Sequence, residues 1–187
     1  MILDIQGNIN EYYVQTLCMT FFPGSKFARE QEFDDPMVPK LLLRITENDD
    51  GSISADVWLN YAHRHSEGHE VLPALPDKTK EKQKKMVVGK AIFSAGKAMF
   101  RCSPPWGILT GVRPSKVATE LLKKGNSPTK AKRILRDEYL LNPQKAALAV
   151  NVASVEMSLT RPDQGKRCSI YISIPFCPSR CAYCSFV

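Results

Sequence analysis

Val38-Pro-Lys-Leu-Leu-Leu-Arg-Ile-Thr-Glu47, Asn48-Asp-Asp-Gly51 and Ser52-Ile-Ser-Ala-Asp-Val-Trp-Leu-Asn-Tyr61 follow one another without a break. The two outer runs are rich in β-formers and read as strands. The four residues between them read as a hairpin turn, because Asp-Gly supplies the positive φ a tight reversal needs. Working outward, Met1–Gln6 alternates well enough for a short strand. Glu11–Phe22 shows helical or mixed periodicity and ends at Pro23-Gly24. Residues 63–78 are polar and carry Pro73 and Pro76, so they read as a loop. From Lys80 to Phe100, Met86, Val87, Ala91, Ala95, Ala98 and Met99 recur at helical spacing, which predicts an amphipathic helix. The expected unit over residues 1–102 is a small βαββα domain.

Residues 103–165 read as a helical connecting segment. It opens on Ser103-Pro-Pro-Trp-Gly-Ile-Leu-Thr-Gly-Val-Arg-Pro-Ser115, punctuated by proline and glycine. Pro114 suits a first helical turn, and that helix is expected to stop at Gly125. Ser127-Pro128 and Asn142-Pro143 each place a capping residue before a proline, at the position where the missing N–H costs nothing. The third helix, about 143–159, has an apolar face through Ala146, Val150, Ala153 and Met157. Arg161-Pro-Asp-Gln-Gly165 closes it, and Cys168–Ile174 alternates as a strand would.

The chain has 187 residues, 43% hydrophobic and 24% charged, which excludes disorder. No apolar run approaches the roughly 18 residues a spanning helix needs, and no signal peptide opens the chain, so no membrane partner and a cytoplasmic location are expected. The net charge of +7 hides a split. Residues 1–75 carry 5 basic and 12 acidic side chains, and residues 76–187 carry 21 and 7. The basic half suits an anionic partner without specifying which.

Three of the six cysteines crowd into Cys177-Pro-Ser-Arg-Cys181-Ala-Tyr-Cys184, directly after the expected strand. Three thiolates on one tight loop suit three irons of a [4Fe–4S] cluster and leave the fourth iron free to chelate a small molecule. Structural zinc is the competing reading; it needs a fourth ligand, for which Cys168 or a remote histidine is the candidate.

Strand-then-CxxxCxxC, with an aromatic before the last cysteine, resembles the radical S-adenosylmethionine (SAM) superfamily signature. Tyr171-Ile-Ser-Ile-Pro-Phe-Cys177 with Cys181-Ala-Tyr-Cys184-Ser-Phe is similar to the oxygen-independent coproporphyrinogen III oxidase subfamily. With Trp106-Gly-Ile-Leu-Thr-Gly-Val-Arg-Pro-Ser-Lys116 upstream, it resembles the HemZ branch, called coproporphyrinogen dehydrogenase. The resemblance implies that Cys177, Cys181 and Cys184 hold the cluster and that SAM chelates its open iron. Tyr171 would contact SAM beside the cluster, and Tyr183 would pack on its adenine. One electron would cleave SAM to a 5′-deoxyadenosyl radical, which abstracts hydrogen from a propionate that then loses carbon dioxide to become a vinyl group. The implied partners are a tetrapyrrole substrate and a one-electron reductase or a donor of ferredoxin or flavodoxin type.

The sequence departs from the subfamily pattern at Ser173, where a histidine is usual, and at Phe186, where the best-studied branch has a further cysteine. Both bear on the substrate rather than on the radical chemistry. A radical SAM barrel needs on the order of 200 residues of βα units. Residues 166–187 would supply only its first strand and cluster loop, so an N-terminal portion of a longer enzyme is expected, inactive alone, with no catalytic residue of its own assignable. The expected fold is α/β (α+β). Two other readings stay open: a haem-binding and haem-transfer protein of the same subfamily, and an RNA-binding accessory region of another radical SAM enzyme.

Weaker signals lie elsewhere. His63, His65 and His69 could chelate a metal if strand geometry persisted, but the polar stretch favours solvated loop histidines. The lysines of residues 78–85 could touch phosphates, yet they lack interleaved aromatics, which favours an exposed helix start and makes a nucleic-acid partner the poorer expectation. Arg113–Lys116 stands before a helix and suits an anion or, better, docking onto the rest of the enzyme. Cys18, Cys102 and Cys168 are expected to be buried free thiols.

Overall fold

The computed structural model describes residues 1–28, 35–76, 78–111, 113–159, 170–174 and 176–177. Nine elements follow in order: β1 (Ile2–Gln6), α1 (Glu11–Cys18), β2 (Lys40–Glu47), β3 (Ile53–Tyr61), β4 (Arg64–Leu72), α2 (Lys80–Phe100), α3 (Ser115–Lys123), α4 (Pro128–Tyr139) and α5 (Pro143–Leu159). The four strands form one mixed sheet in the order β1-β2-β3-β4, with β1 parallel to β2 and the other pairs antiparallel. The protein is therefore mixed α/β, with helices gathered on one face of the sheet and beyond it.

The β2–β3 hairpin forms where expected. The Asn48 amide donates to the Ser52 carbonyl at 2.9 Å, and the Gly51 amide to the Asn48 carbonyl at 2.9 Å. Gly51 alone takes the positive φ, at 79°. The helix expected to reach Phe22 is shorter: Cys18 is its last residue, and two turns at Phe21 and Phe22 carry the chain to Gly24.

The larger correction concerns residues 63–78, expected as a loop. Arg64–Leu72 is a fourth strand, paired along its whole length with β3. The reversal is made by Ala62 and His63, both left-handed at φ 51° and 59°, the conformation of a two-residue hairpin turn. Its inward positions are Ser66 and Gly68, small enough for α2 to lie against the strand. Ser66 Oγ donates to the Ala95 carbonyl of α2 at 2.9 Å, which satisfies a buried hydroxyl. The unit is thus βαβββα.

Helix α2 is enclosed by neighbours. Val87, Val88, Ala91, Ile92, Ala95 and Met99 are buried. On the side away from the sheet, Gly89 and Gly96 admit Tyr13 and Phe21. Phe21, Phe22, Tyr61, Phe93 and Phe100 form an aromatic cluster with ring centroids 5.1–6.3 Å apart. The same core continues into α3–α5 through Ala118, Leu135, Val150 and Ala153.

The caps follow the sequence. Ser127 accepts from the Lys130 amide at 3.2 Å, and Asn142 from the Lys145 amide at 2.7 Å. Helix α3 ends at Lys123, and Gly125 beyond it is left-handed. Trp106-Gly-Ile-Leu109 is pinned to the end of α4, where the Ile108 amide donates to the Tyr139 carbonyl at 2.9 Å. Gly107 is left-handed, and a Cβ there would run into the Tyr139 and Leu140 backbone, which accounts for glycine in this motif.

The strand expected over Cys168–Ile174 is not found at residues 170–174, which are unpaired and exposed. Alternation of Ile170, Ile172 and Ile174 marks a side that seeks burial, but a strand also needs a ladder partner. None of the four described strands provides one. Residues 168 and 169 lie outside the described residues.

Candidate metal centre

Cys177 is exposed and free of any disulfide. Tyr171 is 80% exposed, and Phe176 between them is 85% exposed. Cys181, Tyr183, Cys184 and Cys168 lie outside the described residues. Among the described residues no three His, Cys, Asp or Glu side chains gather as a metal site. The donor set nevertheless suits a cluster: Cys177 offers an accessible thiol with no partner among the described residues, and two more cysteines follow in the sequence, the three lying within eight residues.

The other cysteines divide. Cys18 is buried on α1, and that burial pushes its thiol up to about 12, so it is chemically quiet. Cys102, expected to be buried, is exposed just past the end of α2.

The three histidines do not form a ligand set. His63 sits in the turn. His65 and His69 share the open side of β4, each held by its own neighbours. His65 Nδ1 lies 2.8 Å from Asn60 Oδ1, and its Nε2 lies 2.9 Å from Glu67 Oε1. His69 Nδ1 lies 2.6 Å from Asp56 Oδ1.

The lysine run is largely neutralised within the fold. Lys78 pairs with Glu138 at 2.8 Å, Lys80 and Lys84 with Glu47 at 3.4 and 2.6 Å, and Lys85 with Glu81 at 2.6 Å. The two lysines hold the Glu47 carboxyl below its ordinary range, Lys84 foremost. Arg113 reaches Glu156 of α5 at 3.2 Å, tying the start of α3 to the last helix. Beside that pair, Leu148, Val152, Val155 and Leu159 form an exposed apolar stripe along α5. Nothing in the sequence pattern marks the cavity under Tyr139, where α1, α2 and the Trp106–Gly111 connection meet.

Fold and motif together describe a mixed α/β chain that carries a cysteine-rich CxxxCxxC segment. No family model matches the sequence. Over 117 residues it is 34% identical to the oxygen-independent coproporphyrinogen-III oxidase-like protein HemZ of Bacillus subtilis (strain 168). The likeness takes in 61% of this chain and 23% of that protein, so the chain spans about a quarter of its relative. Over that stretch the chain is similar to HemZ. Protein VC0702 from Vibrio cholerae, a solved structure, covers 89% of the chain and is itself wholly covered, at 13% identity and a TM-score of 0.26, too weak a likeness to carry any argument. Among the described residues no helix is long and apolar enough to cross a membrane.

Proposed function

We propose that this chain is the N-terminal portion of a cytoplasmic radical SAM oxidoreductase that oxidatively decarboxylates coproporphyrinogen III propionates to vinyl groups, giving protoporphyrinogen IX. The observation that carries this reading is the CxxxCxxC set of Cys177, Cys181 and Cys184, and the 34% identity to HemZ supports it. In this reading residues 1–102 are the α/β unit, 103–165 the connecting helices and 166–187 the opening of the barrel. The three thiolates hold a [4Fe–4S] cluster, Tyr171 contacts SAM and Tyr183 packs against its adenine. When bound, cluster and SAM supply the one-electron chemistry that removes hydrogen from the propionate. The exposed stripe on α5 and the neighbouring Arg113 support docking against the remaining, catalytic part of the polypeptide, which receives its electron from a separate one-electron donor.

The test joins this chain to that remaining part and supplies SAM, a reductant and coproporphyrinogen III without oxygen. The expected products are protoporphyrinogen IX, carbon dioxide, methionine and the 5′-deoxyadenosine that carries the abstracted hydrogen, and Cys177→Ala should abolish SAM cleavage. Cleavage persisting in the variant would overturn the proposal. Tight haem binding with no decarboxylation would favour a haem-transfer role instead.

A further inference from the structure

Between α1, α2 and the Trp106–Gly111 connection lies a cavity of about 460 Å³, within the range of small-molecule sites. Its apolar walls are Met86, Ile108, Leu109 and Val117, and Tyr139 also lines it. Tyr139 and Lys82 are two of the polar groups there that lack a partner among the described residues. Tyr139 is only 7% exposed, yet its hydroxyl makes no hydrogen bond to any described residue. Lys82 is half-buried, and it alone of the five lysines in residues 78–85 forms no ion pair among the described residues.

Three of the surrounding polar groups, Tyr13, Thr16 and Asn10, are already engaged. Tyr13 donates its hydroxyl to the Lys85 carbonyl at 2.8 Å, and Thr16 donates to the Tyr12 carbonyl at 2.7 Å. Asn10 accepts from the Tyr13 amide at 3.3 Å. A buried hydroxyl left without a partner is costly, and a partly desolvated ammonium favours an anion beside it. Burial, with Glu138 and Glu120 next in effect, raises Tyr139 to about 12, so at neutral pH its hydroxyl keeps its proton and can donate.

We propose that this cavity binds a small aromatic anion, its ring between the apolar walls, an acceptor atom on the Tyr139 hydroxyl and its carboxylate or phosphate on the Lys82 ammonium. Cys177 does not line this cavity, and the proposal stands whether or not the cysteine motif carries a cluster.

The full chain is titrated with the fluorescent probe anilinonaphthalene sulfonate and with its uncharged parent, anilinonaphthalene. The expected result is one saturating site that prefers the anion, is weakened about tenfold by Lys82→Ala and is blocked by Val117→Trp. Tyr139→Phe should weaken binding while leaving the melting temperature unchanged or higher, because it removes an unpaired polar atom; a hydroxyl with a merely structural role would lower it. Displacement of the probe by salicylate identifies a carboxylate occupant, and displacement by adenosine monophosphate a phosphate one. Equal affinity for the uncharged parent, indifference to Lys82→Ala, or displacement by neither competitor overturns the proposal.

Discussion

The absence of a side chain at position 68 sets how closely α2 approaches the sheet. A Cβ on Gly68 would fall within the contact radius of the Ala91 carbonyl, and that oxygen belongs to a helix backbone that cannot yield locally. Gly68→Ala should therefore cost about 2–4 kcal/mol in denaturant unfolding, whereas Gly24→Ala, with no heavy atom near its Cβ, bears only the cost of its positive φ. Cys18 gives a pH prediction. Its folded thiol keeps its proton up to about 12, against an ordinary value of 9.0. Between those values the unfolded chain gives up a proton that the folded chain retains, so stability falls as pH rises through that window. Tyr13 and Tyr139, both raised by burial, act in the same direction at higher pH. Urea midpoints should drop from pH 8 to about pH 10.5, and the drop should be smaller in Cys18→Val. Iodoacetamide should label Cys102 and Cys177 in the native protein, while Cys18 reacts only after unfolding.

At the level of elements, α2 is capped by Arg101, an exposed arginine held left-handed at φ 53° just past Phe100. Glycine takes that conformation without strain, so Arg101→Gly should stabilise the protein by about 0.5–1 kcal/mol, read from the unfolding midpoint. Local chemistry made the caps at Ser127 and Asn142 and the turn at Asn48–Gly51 legible, because each carries its own hydrogen bonds. Strand β4 was not legible. Its inward residues, Ser66 and Gly68, are set by the distance to α2 rather than by apolar alternation, and its turn places Ala62 and His63 in a conformation their identities do not announce. Ile170–Ile174 shows the opposite failure: the alternation is visible, but the hydrogen-bonding neighbour that makes a strand is a property of the fold. Likewise, whether the lysines of residues 78–85 are free depends on Glu47, Glu81 and Glu138, two of which are far away in sequence.

Across the whole molecule, one continuous core joins the βαβββα unit to the three helices, and an apolar stripe on α5 stays open to solvent. The cysteine motif was the most legible candidate for function, since its three thiols stand at a spacing that suits iron ligation. The cavity under Tyr139 had no sequence signature, being assembled from α1, α2, α3, the end of α4 and a loop. The proposed radical chemistry rests on what those three thiolates hold, and anaerobic reconstitution of the chain with iron and sulfide tests that most directly. The account predicts about four irons and four sulfides per chain, lost when Cys177, Cys181 or Cys184 is replaced by alanine. Tight binding of a single zinc with no sulfide, undiminished in Cys177→Ala, would contradict it.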